Sequence, residues 1–264
     1  MTLRGRTPGQ EAVLLWHLVR QDFVERYAGS VLGMAWLLIT PLMQILVFTL
    51  VFGRLIGPRI PGTDSIYAYG LYLVSGILPW MTFASTFGRT AAVFRDKAPI
   101  LRKVPLRLST VAVHVAVAET LALAAVLALF LAVRTAIFGA PPATAVYAPV
   151  VMVYQQLLAL TLGLLAALPA VMLRDVKEAV GVVTFLWFWM TPIVYLVDTV
   201  PWPLQVIQPY NPAFWFSESW HRILVYGQAP DFGWLAASGL GVLALLGLVL
   251  VLLHRWEGQI RDFL

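Results

Sequence analysis

The chain carries three lysines, Lys97, Lys103 and Lys177, and they follow Asp96, Arg102 and Val176. A phosphate-gripping loop of the nucleotide-hydrolysing kind needs a lysine directly after a glycine, with a hydroxyl side chain next. ATP hydrolysis by that route is therefore excluded. The four histidines, His17, His114, His221 and His254, show no His-Glu-x-x-His run and no other metal-ligand spacing. There is no Gly-x-Ser-x-Gly elbow for a nucleophilic serine. No two carboxylates fall on one face of a membrane helix, so paired acid/base chemistry has no site. Cysteine is absent, which removes disulfides and thiolate chemistry. These residues predict no catalytic group, no metal and no cofactor in this chain. Any work on a substrate draws its energy from a partner or an ion gradient.

Other residue groups do carry a signal. Glu119 is the only acid well inside a long uncharged run, and an ionisable group there faces a partner or a wet cavity. His114 lies five residues earlier, off its face. A short basic segment, Arg95-Asp96-Lys97-Ala98-Pro99-Ile100-Leu101-Arg102-Lys103, has an apolar centre at Ile100 and Leu101. Phe185, Trp187, Phe188, Trp189 and Tyr195 crowd one later run, and Trp36 stands in the first. Aromatic rings suit sugars, whose C–H faces can lie on a ring. An interfacial aromatic belt is the alternative.

The elements that position these groups follow from composition. Of 264 residues, 60% are hydrophobic and 12% charged, with a net charge of +5. A soluble domain has roughly twice that charged fraction. A soluble enzyme, a disordered tail and a nucleic-acid-binding domain are thus excluded. A bilayer core of about 30 Å needs roughly 20 apolar residues per helix. Runs of that order occur at 27–53, 65–88, 108–133, 150–173, 179–197 and 232–253, uncharged except that His114 and Glu119 interrupt the third. Only helices can satisfy backbone groups over such lengths in hydrocarbon. The expected fold is all-α and integral to the membrane, with six transmembrane helices in a single domain over 1–264. Fourteen of the 18 Lys+Arg fall on the side that holds both termini, and only Arg54, Arg59, Arg134 and Arg222 on the other. That asymmetry places both termini in the cytoplasm. Residues 1–32 hold scattered charges and no compact apolar core, so no cleavable signal is expected.

Residues 10–27 read as an amphipathic interface helix. Ala12, Val13, Trp16, Val19, Phe23, Val24 and Tyr27 share one arc, and Glu11, Asp22 and Glu25 lie opposite. The segment is a membrane anchor, or its acidic face docks a cytosolic protein. Gly29 and Gly33, four apart, have a spacing that permits close helix approach. Residues 198–231 hold five prolines and seven Trp, Tyr or Phe residues. They read as a helical hairpin re-entering the outer leaflet, with Asn211 as cap and Pro212 at the first helical position.

The run Glu25-Arg-Tyr-Ala-Gly-Ser-Val-Leu-Gly-Met-Ala-Trp36, with Pro41-Leu42 after it, resembles the entry to the first span in membrane subunits of ABC exporters for cell-surface polysaccharides. The basic loop 94–104, Leu173-Arg-Asp-Val, Phe188-Trp-Met-Thr-Pro-Ile-Val-Tyr195 and the Asn211-Pro212 region match too. The resemblance covers most of the chain and implies a channel-forming permease for a lipid-linked polysaccharide such as O antigen or capsule. It implies a bacterial inner-membrane location and a homodimer paired with two cytosolic ATPase subunits, which hold the Mg-ATP. Residues 94–104 become the coupling helix, carried by Arg95, Asp96, Lys97, Pro99, Ile100, Leu101, Arg102 and Lys103. The plainer reading is a positive cluster that sets topology and binds acidic lipid.

On this resemblance the interface helix rests on Glu11, Trp16, Arg20, Asp22, Phe23 and Glu25. The substrate pathway rests on Trp36, Glu119, Phe185, Trp187, Trp189 and Tyr195. Arg20, Arg26 and Arg89 hold the phosphates of the lipid-linked end. Glu119 otherwise ties helices together or relays protons, and the hairpin gates or merely caps the outer mouth. A drug or small-lipid exporter shares the architecture. An ion-coupled carrier or membrane-embedded transferase is the reading from another class, though a carrier would show matched halves with interrupted helices.

Overall fold

A computed structural model describes residues 7–48, 50–51, 68–104, 106–197 and 201–264. Arg54 and Arg59 lie outside the described residues, as do the end of the first expected span and the start of the second. The described residues are mostly helical, with no strand among them. They form α1 (Pro8–Tyr27), α2 (Trp36–Val47), α3 (Ala68–Asp96), α4 (Ala98–Leu101), α5 (Leu108–Phe138), α6 (Ala148–Ala170), α7 (Asp175–Met190), α8 (Trp202–Ile207), α9 (Pro212–His221) and α10 (Phe232–Phe263). Among them α3, α5, α6 with the 3-10 turn before it, and α10 are long and apolar enough to cross a membrane. The two other expected spans, α2 and α7, are shorter, at 12 and 16 residues.

Local chemistry sets the helix ends. Thr7 opens α1 with a reciprocal cap: its Oγ1 accepts from the Gln10 amide, and the Gln10 side chain accepts from the Thr7 amide at 3.1 Å. Gly29 and Gly33 close it, with φ of 74° and 51°, where a Cβ would be strained. A Cβ at either would meet nothing within 4 Å. These glycines therefore make the turn from α1 to α2, and do not bring helices together as their spacing suggests.

The close approaches lie elsewhere. A Cβ on Gly163 of α6 would sit 2.5 Å from the Thr90 Cβ of α3, and one on Gly76 of α3 would sit 2.7 Å from His221 Nε2 of α9. Helix α3 is thus the post around which α5, α6, α7 and α9 pack. Its Pro79 has no N–H to donate, and its carbonyl accepts from Gln155 Nε2 at 2.9 Å. Gln155 Oε1 in turn accepts from Trp220 Nε1 at 2.9 Å, which ties α9 to α3 and α6. Phe83, Phe216 and Trp220 are fully buried in the same cluster.

Asn211 Oδ1 accepts from the Ala213 amide at 3.0 Å and Pro212 opens α9, as the Asn-Pro pair predicts. The expected hairpin is uneven. Phe214, Trp215, Phe216 and Trp220 of α9 are buried, whereas Trp202 and Tyr210 are exposed.

Gly163→Ala forces α3 and α6 apart and should destabilise the protein by about 1–3 kcal/mol. Gly241→Ala, on α10 with open space around it, should not. Thermal unfolding in detergent compares the two, and equal melting temperatures would refute the close-approach account.

Candidate functional site

Helix α1 lies along the end of the bundle where α3 finishes and α5 begins. At about 100° per residue, its buried positions Leu18, Val19 and Asp22 form one face. Val13, Trp16 and Val24 point away and are 58%, 59% and 62% exposed. The apolar arc seen in the sequence is thus largely the outer face. The acidic side faces the protein itself. Glu11 binds Arg107 at 2.7 Å, Glu25 binds Lys97 at 2.8 Å, and Asp22 binds Arg89 and Arg26. On the face expected to dock a cytosolic protein, all three carboxylates meet cations of the same chain.

Asp22 is one corner of a four-charge cluster. Glu119 Oε1 accepts from Arg89 Nη1 at 2.6 Å, Arg26 Nη2 at 2.7 Å and Ser85 Oγ at 2.9 Å. Arg26 Nη2 also reaches Asp22 at 3.2 Å, and Arg89 Nη2 reaches it from the other side. Two carboxylates, 3% and 5% exposed as residues, thus face two guanidinium groups. Burial of a charge is costly unless it is paired and hydrogen-bonded, and here every charge has opposite neighbours. Glu119 therefore joins α1, α3 and α5, in line with the helix-tying reading of that residue. Arg26 and Arg89, expected to hold lipid phosphates, have their charge balanced by these carboxylates. Arg20 is exposed and lies outside the cluster.

The basic loop follows α3 directly. Helix α4 is a single turn, opened by Pro99 near its start. Leu101 is buried in an apolar cluster with Leu106, Ile260 and Leu264, and Ile100 and Ala98 pack against it. Of the apolar centre expected in the docking surface, Leu101 thus faces the bundle and Ile100 is half-buried. A four-residue helix has one inner side, and the bundle takes it. Asp96, Pro99, Arg102 and Lys103 remain exposed, and Arg95 is half-buried. Hydrogen bonding from Lys97 holds the Glu25 carboxyl below its ordinary value. A lowered value means the pair contributes above the unfolded value and is lost as the pH falls through the folded one.

The expected pathway residues separate. Phe185 and Trp189, four apart on α7, are 62% and 54% exposed. With Trp80, Met81, Ala84 and Lys177 they line an open groove of about 610 Å³ between α3 and α7. Trp187 turns inward: its Nε1 donates to Asn211 Oδ1 at 2.8 Å, and its ring meets Phe83 edge-on at 5.5 Å. Tyr195 donates to the Trp189 carbonyl at 2.9 Å. Trp36 is part-exposed on a separate groove along α2, beside Ile39 and Met43. Glu119 sits apart from all of them in its ion cluster. Trp80 and Met81 were missed in the sequence, because nothing there shows which side of α3 meets α7.

The chain matches the family model for the ABC-2 type transporter over residues 13–224. The chain belongs to the ABC-2 type transporter family. It is similar to the O-antigen export system permease protein RfbA of Myxococcus xanthus, with 28% identity over 240 residues, 90% of this chain and 88% of that protein. It is also similar to the protein of the same name from Klebsiella pneumoniae, with 24% identity over 216 residues and 81% of each chain covered. As an ABC-2 type transporter the chain is a multi-pass membrane transport component. The matched region takes in most of α1, the ion cluster, the basic loop and the α7 groove, and ends before α10.

Replacing Glu119 by Gln removes the charge-assisted bonds that join α5 to α1 and α3 and leaves two part-exposed guanidinium groups to share Asp22, at about 1.5–3 kcal/mol. Glu119→Gln should therefore unfold at markedly lower temperature, and Arg20→Gln should match the unaltered protein. A Glu119→Gln protein as stable as the parent would show that the cluster does not tie these helices.

Proposed function

We propose that this chain is the permease subunit of an ATP-driven exporter that carries a lipid-linked polysaccharide out across the bacterial inner membrane. The observation that carries the reading is the basic loop, whose polar face is exposed on a transporter that has no phosphate-binding loop of its own. A motor must therefore bind from outside, and Asp96, Pro99, Arg102 and Lys103 form the surface offered to it. Two copies of the chain pair with two cytosolic ATPase subunits, which hold the Mg-ATP. The names of the relatives support a polysaccharide cargo.

In this reading α2 and α7 complete six spans. A 16-residue helix such as α7 extends about 24 Å, and flanking residues and local thinning make up the difference. Both termini are cytoplasmic, since α1 and the end of α10 meet the same loop. Helix α1 rests in the interface with Val13, Trp16 and Val24 toward lipid, and Arg20 meets headgroup phosphates. Phe185 and Trp189 offer ring faces along which a sugar chain slides. Residues 202–226 cap the outer end.

Reconstitution with the ATPase encoded beside this chain tests the reading. The complex should form and hydrolyse ATP faster with lipid-linked polysaccharide. Arg102→Glu with Lys103→Glu should weaken assembly about tenfold or more. Trp189→Ala should leave assembly intact and reduce polymer-stimulated hydrolysis. Stimulation by small amphipathic drugs instead of polymer would favour the drug-exporter reading, and absence of any complex would end this proposal.

A further inference from the structure

The loop between α3 and α5 is gripped from two sides. Helix α1 spans both of its ends: Glu25 takes Lys97 at the start, and Glu11 takes Arg107 at the finish. From the other side, Arg261 of α10 donates to the Leu106 carbonyl at 2.5 Å and is itself held by Glu257 at 2.8 Å. Ile260 and Leu264 share the apolar cluster of Leu101 and Leu106, and Leu14 of α1 packs against it. Partly exposed ion pairs of this kind add little to folding stability. Here three of them sit where the loop joins its neighbours. Glu25 is four residues before Gly29, and the positive-φ turn at Gly29 and Gly33 leads straight into α2.

We infer that Glu11, Glu25 and Arg261 are positioning residues that clamp residues 97–104 and 106–107 into one body with α1 and α10, so that a push on the exposed face of the loop is delivered through α1 and the Gly29–Gly33 turn to α2. The inference rests on the loop being the partner's contact. It adds the route by which motion leaves that contact. The inner side of the loop is fixed on Leu101, so displacement cannot be absorbed by the loop alone. It passes to whatever is bolted to the loop, and α1 is bolted at both ends.

The test uses the reconstituted permease and ATPase with Glu11→Arg, Arg107→Glu and the two combined. Each single reversal should keep the ATPase bound and lower polymer-stimulated hydrolysis about fivefold or more. The combined exchange restores an opposite-charge pair and should restore stimulation. Arg261→Lys should retain most of it, and Arg261→Met should not. Full stimulation in both single reversals overturns the clamp. So does a combined variant as impaired as the worse single one. The double exchange and Arg261→Lys keep all charges present, so a folding failure in a single variant does not remove the test. If the unaltered chain fails to bind the ATPase, the functional proposal fails. If it binds and is stimulated while the reversals are indifferent, only the clamp fails.

Discussion

A carboxylate inside an apolar bundle must meet opposite charge, and that requirement organises one end of this protein. Glu119 lies buried on α5. Arg89 of α3 and Arg26 of α1 neutralise it, and Asp22 of α1 balances the second guanidinium. A surface helix is thereby held by charge, with only a narrow apolar strip beneath it. The same helix can then turn Val13, Trp16 and Val24 outward, because its attachment does not depend on them.

The rest of the bundle depends on closeness and on matched polar groups. Gly163 and Gly76 let α6 and α9 press on α3. The Pro79 carbonyl accepts from Gln155, and Gln155 in turn accepts from Trp220, a hydrogen-bonded chain that joins α3, α6 and α9. Between hydrocarbon-like surfaces there is little hydrophobic preference for one partner over another, so packing of small residues and internal hydrogen bonds select the arrangement. This fixed frame exposes one side of α7 while Trp187 holds the other.

Much of the architecture was legible from composition and run length. Four of the six long runs became helices long enough to cross a membrane, and Asn211-Pro212 marked the start of α9. The site was only partly legible. Charge and periodicity identified α1, but not the direction it faces. Its apolar and acidic sides both had claims on the bundle, and the buried Glu119 with its two arginines decided for the acidic side. Ile100 and Leu101 looked available because a loop in sequence has no inside. Gly29 and Gly33 carried a packing spacing, yet their backbone angles assign them to a turn.

What the amino-acid order alone determined is the class of molecule: helical, membrane-borne, free of the nucleotide-binding lysine, with most of its positive charge on the side that holds both termini. These are properties of local composition and period, and each residue brings them wherever the chain goes. Which cations meet which carboxylates, which glycines bear a neighbouring helix and which aromatics stay exposed were decided only by the tertiary structure. Such pairings join residues up to 155 positions apart, as with Arg261 and Leu106, and no local pattern specifies a partner at that separation.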